Sequence, residues 1–339
     1  MTDMTNRPIN RKIVLVEHVT GQVEPKHFRL EEEEAKAPED GEVLIAVDTI
    51  SIDAFIRTSL NDWEGLHTQT PIGGVVGTLN VGRVVESNSD DLAVGDAVTG
   101  GLGSQTYATV PAAAVQKIDD SLPLSTYLGA LGLTTGLTAY FGMLNVGQVK
   151  EGDTVLVSGA AGAVGSVAGQ IAKIAGAGKV IGIAGGKEKC NFLTGTLGFD
   201  GAIDYKNEDV DARLKELAPD GIDVFFDNVG GEILDVALDN IRERGRVAIC
   251  GAISQYNDHL NVKGPSLYLR LAERYARMEG FTVMHFMDQY PKAYADLSEW
   301  LKDGKLKVVE HVEEGIESFP TALQKLFTGG HMGKMLVKV

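Results

Sequence analysis

Hydrophobic and polar positions along this chain follow two rhythms, and the change comes near residue 130. Before it, IVLVEHV, EVLIAVDTISI, VGTLNVGRVVES and DAVTGGL are short β-branched stretches broken by Gly, Pro, Asn and Asp. That is the pattern of strands joined by tight turns. The pairs Gly73-Gly74 and Gly100-Gly101 suit the corners of a small barrel. One short helix is expected, over residues 54–61. After the change, apolar runs alternate with helical periodicity. DTVLVSG, KVIGIAG, GAIDY, GIDVFFDNVG, GRVAICGAI and residues 279–284 read as strands. Helices are expected over 187–197, 210–217, 231–241 and near 267–277. This alternation predicts a doubly wound parallel sheet. An amphipathic helix over 290–301 follows. The tail then returns to strand pattern in KVVEHVEEG and GKMLVKV, around a short helix at 320–327. The expected class is α/β, with a β-barrel domain from residues 1–130 plus 306–339 and a parallel-sheet domain from 131–305.

The most specific stretch is SGAAGAVGSVAGQIAKIAG, from Ser158. Val164, Val167, Ala168, Ile171, Ala172 and Ala175 fall at i, i+3, i+4, i+7, i+8 and i+11, one apolar face of a helix. Between that helix and the preceding strand lies Ala160-Ala161-Gly162-Ala163-Val164-Gly165, a G-x-G-x-x-G pattern with Ala in first place. Main-chain amides at a helix start, uncrowded by side chains, can hold a pyrophosphate. A plain small-residue turn packing helix on strand is the competing reading. The second strand of a dinucleotide-binding unit usually ends in a carboxylate for the ribose 2′-hydroxyl. Here it ends in Gly185-Gly186-Lys187-Glu188-Lys189. Losing the acid removes repulsion against a 2′-phosphate, and Lys189 supplies a cation. The chain is therefore expected to prefer NADP(H), although Lys189 also reads as a solvent-facing helix lysine. Two later loops, Asp227-Asn228-Val229-Gly230-Gly231 and Cys250 through Tyr256, fall where the nicotinamide should lie; each also reads as ordinary turn chemistry.

Charge narrows the partners. A formal net charge of −16 without a Lys/Arg cluster argues against nucleic acid and against an anionic membrane surface. The run Glu31-Glu32-Glu33-Glu34 reads as a solvated edge or loop. The two cysteines, Cys190 and Cys250, are too far apart to suggest a disulfide framework. The opening residues are polar, and no stretch of 18 apolar residues occurs, so a cytoplasmic location is the expectation.

Several ordered motifs carry a resemblance over nearly the whole chain: SGAAGAVGSVAGQIAK, GGKEKC, LGFDGAIDYK, FDNVGGEILD, VAICGAISQYN, GKMLVKV, and earlier FRLEEEEAKAPEDGEVL and LGLTTGLTAYFGMLNVGQVKEGDTVLV. The sequence resembles the zinc-independent medium-chain dehydrogenase/reductases, in the branch of prostaglandin, plant double-bond and bacterial curcumin reductases. The resemblance implies a GroES-like β-barrel domain, an NADP-binding Rossmann domain and a homodimer. It implies reduction of an enone or enal at the carbon–carbon double bond. It places Ala163, Val164, Gly165 and Ser166 at the pyrophosphate and Lys189 and Tyr205 at the 2′-phosphate, with Gly162 and Gly186 among the cofactor contacts. Asn228 and Cys250, Gly251, Ala252, Ile253, Ser254 and Tyr256 would line ribose and nicotinamide, with Phe281, Thr282 and Val283 on the sixth strand. The sequence departs from the family at Phe55, where the family has Tyr, so the pocket loses a donor. It departs also at 133–140 and at His331. Phe55 and Arg57 are the candidate substrate-pocket residues.

The first 189 residues contain no cysteine, so neither a catalytic nor a structural zinc set is expected. Without a Lewis acid, the chemistry that remains is hydride delivery to an enone with a hydrogen-bond donor at its carbonyl oxygen. Tyr256 is the candidate donor; packing on cofactor or substrate is its other reading. A quinone reductase with the same cofactor is the rival enzyme. A non-catalytic NADPH-binding sensor or structural protein is the rival of another class.

Overall fold

The computed structural model describes residues 7–63 and 67–339. It divides into two compact units, one of residues up to 128 with 310–331 and 335–339, the other of 129–309 with 332–334. The first unit opens with β1 (Ile9–Leu15), β2 (Phe28–Glu34), β3 (Glu42–Ser51), α1 (Ala54–Ser59), β4 (Asn80–Ser87), β5 (Ala97–Gly100), β6 (Tyr107–Pro111) and β7 (Val115–Lys117). The second contains α2 (Thr138–Phe141), β8 (Thr154–Val157), α3 (Ala163–Ile174), β9 (Lys179–Ala184), α4 (Lys187–Asn191), β10 (Gly201–Asp204), α5 (Val210–Leu217), β11 (Ile222–Asp227), α6 (Gly231–Asp239), β12 (Ile241–Ile249), α7 (Leu269–Glu273), β13 (Arg277–Gly280) and α8 (Tyr290–Lys302). The chain ends with β14 (Glu310–Glu314), α9 (Phe319–Thr328) and β15 (Lys334–Lys338).

The hub of the first unit is β3. It pairs antiparallel with β4 along one edge, while its other edge is shared between β6 at residues 42–46 and β15 at residues 49–51. Sharing one edge between two strands bends the sheet around a core of Val43, Ile45, Ile50, Val84, Val98, Met335 and Val337, with Phe319 and Leu323 of α9 packed into it. The four glutamates lie on β2. Glu31 and Glu32 stand opposite Lys12 and Arg11 on β1. Arg11 Nε donates to Glu32 at 3.2 Å and Lys12 Nζ to Glu33 at 2.7 Å. Cross-strand charge pairs of this kind stabilise a two-stranded ribbon and blunt its free edge.

In the second unit six strands run in the order β10-β9-β8-β11-β12-β13, every pairing parallel. Both faces of such a sheet are covered by helices, which is why its strands read as continuous apolar runs. Val155, Leu156, Val157, Val224, Phe225 and Phe226 are fully buried. The strand order reverses between β8 and β11, so the loops leaving those two strands border a crevice at the strands' C-terminal ends.

Two elements differ from the sequence pattern. The sixth strand ends at Gly280 instead of running to 284. Thr282 caps a 3₁₀ turn over Val283–Gln289 and its N–H donates to His285 Nδ1 at 3.3 Å, while Phe281 turns inward edge-on against Phe226. Phe281, Thr282 and Val283 thus follow the strand. A helical run over residues 133–146, with α2 flanked by wider π turns, occupies a stretch in which no helix was expected.

Candidate active site

The turn after β8 is shaped by contacts that only small residues allow. Gly159 has φ +57°. A Cβ on Gly165 would sit 2.5 Å from Gly159 O and 2.8 Å from Ala160 Cα. Gly165 therefore lets α3 begin directly on top of the strand end, and Gly162 caps it with extended backbone. Ala160 N–H donates to Ile183 O at 3.0 Å, and Gly333 N–H donates to Ala161 O at 2.8 Å, so the turn is pinned from both sides. The first helical bond runs from Ser166 N–H to Gly162 O, 3.0 Å. The amides of Ala163, Val164 and Gly165 precede it and have no carbonyl one turn back. Ala163 N–H faces Gly333 O across the bridge between Gly162 and Gly333, which leaves the Val164 and Gly165 amides, at the positive end of a 12-residue helix, as the donors that fit a pyrophosphate. Ser166 is spent locally, because its hydroxyl donates to Ala163 O at 3.0 Å.

At the end of β9, Gly186 has φ +97°, a conformation that favours glycine, and it caps α4. Gly185 lies flat against the next turn: a Cβ there would be 2.9 Å from both Lys206 Cε and the Tyr205 ring. Tyr205 is half-exposed. Burial, and then the charge of Lys206, holds the Lys189 ammonium below the ordinary lysine range. Lys189, Gly186, Tyr205 and Lys206 therefore face one small region. Lys206 was not singled out from the sequence. Its signal was its place in DYK beside Tyr205, opposite a glycine that leaves room for both side chains.

The crevice wall is built on Asp227, a fully buried carboxylate ending β11. Its Oδ1 accepts from Ser158 Oγ at 2.8 Å, Val229 N–H at 2.9 Å and Gly230 N–H at 3.0 Å. Burial pushes the Asp227 carboxyl up, against those hydrogen bonds. Asn228 ties three loops together. Its N–H donates to Ser158 Oγ and its Nδ2 to Ser158 O, at 2.8 and 2.7 Å, while its carbonyl accepts from Ile253 N–H. Ser254 Oγ donates to Val229 O at 2.6 Å. Residues 250–256 are thus held against the switch-point loops by main-chain bonds, including those from Cys250 and Gly251 N–H to Asp227 O. The Cys250 thiol is pushed up to about 12, chiefly by burial. Tyr256 folds back over this loop. A Cβ on Gly251 would lie 2.7 Å from its hydroxyl, which accepts from Ala252 N–H at 3.2 Å. Burial raises the Tyr256 phenol, so at neutral pH it keeps its proton and can donate it.

In the first unit the two pocket candidates separate. Phe55 is partly buried, its ring 5.3 Å from that of His67, and His67 is lowered by burial. Arg57 has no exposed surface. Its guanidinium donates to Val19 O at 3.1 Å, Gly21 O at 2.9 Å and Asn61 Oδ1 at 2.6 Å, and burial lowers it to about 10. Instead of lining a pocket, Arg57 anchors the 19–21 segment to α1. Among the described residues no group of three or more His, Cys, Asp or Glu is arranged to hold a metal ion, and no helix is long and apolar enough to cross a membrane.

A model described as the N-terminal domain of oxidoreductase matches residues 11–118, and one described as zinc-binding dehydrogenase matches residues 163–302. The chain is 39% identical to the NADP(+)-dependent 2-alkenal reductase of Nicotiana tabacum over 99% of both proteins. It is 34% identical to the NADPH-dependent curcumin reductase of Escherichia coli over 97% of both. The crystal structure of CurA from Vibrio vulnificus in complex with NADPH superposes with a TM-score of 0.92 at 36% identity, over 97% of this chain and 99% of that one. The chain belongs to the medium-chain dehydrogenase/reductase family.

Proposed function

We propose that this protein is an NADPH-dependent reductase of the carbon–carbon double bond in α,β-unsaturated ketones and aldehydes, working without zinc. The observation that carries the reading is that one sheet places both an amide-lined helix start and a lysine-bearing corner at its strand ends. The helix start is that of α3; the corner is that of Gly186, Lys189 and Tyr205 at the ends of β9 and β10. Relatives named as NADP-dependent alkenal and curcumin reductases support it. NADPH, when bound, would supply a hydride for the substrate's β-carbon, and water or a tyrosine the proton for its α-carbon, leaving NADP+ and the saturated carbonyl. The chain's own residues orient and stabilise. Asp227, Ser158 and Asn228 hold the switch-point loops in register. Tyr256 keeps a neutral hydroxyl whose proton can meet the negative charge building on the substrate carbonyl oxygen. The electron demand of an enone suits a site whose donor is a phenol, and Phe55 gives the first unit an apolar surface for such substrates. A homodimer in the cytoplasm is part of this proposal, and its dimer arm is tested by sedimentation of the purified chain.

The test is NADPH oxidation with a panel of enones, enals and quinones, followed by product analysis. Saturated carbonyl products with consumption of one NADPH per double bond are expected. Hydroquinones as the only products would move the assignment to quinone reduction. Tight NADPH binding with no turnover on any acceptor would make it a non-catalytic binder.

A further inference from the structure

A carboxylate stands in the corner where a second negative charge should be unwelcome. Asp204 ends β10 and is 8% exposed. Its Oδ1 accepts from Gly186 N–H at 2.7 Å and Lys206 N–H at 3.1 Å, and its Oδ2 accepts from Asn207 Nδ2 at 2.8 Å. The first of these bonds crosses from the end of β10 to the turn after β9, 18 residues apart in sequence. Resting on the NADP(H) reading above, we propose that Asp204 is a positioning residue for the 2′-phosphate. By tying these two turns together it sets Lys206 beside Lys189 and Tyr205 as the second cation of the phosphate corner.

Three features support this. First, the donors around Asp204 absorb its charge: the Asn207 amide, then the Gly186 and Lys206 N–H groups, hold it below the usual carboxylate range. A carboxylate so satisfied repels an incoming phosphate much less than a bare one. Second, Gly185 provides the floor: a Cβ there would lie 2.9 Å from Lys206 Cε and the Tyr205 ring, so both side chains pass close over its bare backbone. Third, Lys206 is near enough to depress Lys189, and two ammonium groups in reach of one another are unfavourable until an anion joins them. Other acids nearby are engaged. Glu208 accepts from Asp204 N–H at 2.7 Å and faces Arg213 at 3.6 Å. Glu188 lies in the first turn of α4 and partly offsets the Lys206 effect on Lys189.

The proposal makes a prediction opposite in sign to simple electrostatics. If Asp204 only repelled phosphate, Asp204→Asn would tighten binding. As a positioning residue it must weaken it, because a neutral amide oxygen accepts from Gly186 N–H and Lys206 N–H more weakly than a carboxylate does, even where Asn207 flips to accept from the new NH2. The experiment is calorimetry on the full chain with adenosine 2′,5′-bisphosphate and with 5′-AMP. Asp204→Asn and Lys206→Met should each weaken the bisphosphate at least about fivefold while 5′-AMP stays within about twofold, and Lys206→Arg should restore most of the loss. Unchanged or tighter bisphosphate binding in Asp204→Asn overturns the proposal. So does equal loss of both probes in that variant, or no loss in Lys206→Met. A wild-type chain that does not prefer the bisphosphate over 5′-AMP would instead refute the NADP(H) reading itself. A wild-type preference untouched by either variant refutes only the role given to Asp204 and Lys206.

Discussion

Tyr256 combines two properties that pull against each other. Its hydroxyl already accepts a main-chain hydrogen bond from Ala252, yet its proton remains available. Accepting fixes the ring; donating is the function proposed for it. Tyr256→Phe keeps the ring over Gly251 and removes the donor. The expected result is a fall in kcat on the order of a hundredfold with NADPH affinity nearly unchanged, read from steady-state kinetics and a fluorescence titration of NADPH. An unaltered kcat would assign the donor to another group. Arg57 illustrates the converse case. A charged residue beside a departure from the family pattern reads as a binding group. Its neighbours show otherwise: two carbonyls and an amide oxygen take its donors, and all of its surface is buried. Nothing in Asp53-Ala54-Phe55-Ile56-Arg57 reveals that, because the acceptors Val19 and Gly21 lie more than 30 residues away.

At the scale of elements, glycine decides several packings. Gly142 begins the π turn that ends the helical run over 133–146. A Cβ on it would lie 2.3 Å from Phe281 Cζ and 2.6 Å from Phe226 Cε2. Gly142→Ala should therefore cost about 1–3 kcal/mol through overpacking and lower the Tm by several degrees. Combining it with Phe281→Leu should recover part of the loss in a double-mutant cycle, and a purely additive result would refute the contact. The same glycines explain why this helix was missed. Gly136, Gly142 and the threonines at 134, 135 and 138 have weak helix propensity, and the segment is helical because Leu137, Ala139, Phe141 and Met143 are buried. The strands of the parallel sheet were legible because burial on both faces leaves an unbroken apolar run. The start of α3 was legible because its glycines mark a geometry and not only a composition. The end of β13 was not, since a threonine cap and an inward-turning phenylalanine look like two more strand residues in one dimension.

At the scale of the whole molecule, sequence-distant segments complete each unit. β15 lies against β3 from the far end of the chain, and Leu336 is fully buried with Val81, Ala97 and Ile118. Leu336→Ala should cost about 2–5 kcal/mol in urea unfolding, whereas a loss below roughly 1 kcal/mol would mean that β15 adds little to that core. Gly333, just before β15, supports the turn after β8 through its bond to Ala161, and its φ of +69° and 2.0 Å approach of a Cβ to Val309 O require glycine. The two phosphate sites proposed for the sheet differ in what they are made of. The start of α3 offers main-chain amides, identical whatever side chains surround them, whereas the corner at Lys189 and Lys206 is written in side chains. Point mutation can barely retune the former and can rewrite the latter freely. A lineage carrying this domain can thus exchange one nicotinamide coenzyme for the other at a handful of codons, while the handle common to both coenzymes can be lost, at Gly165 for instance, but not re-aimed.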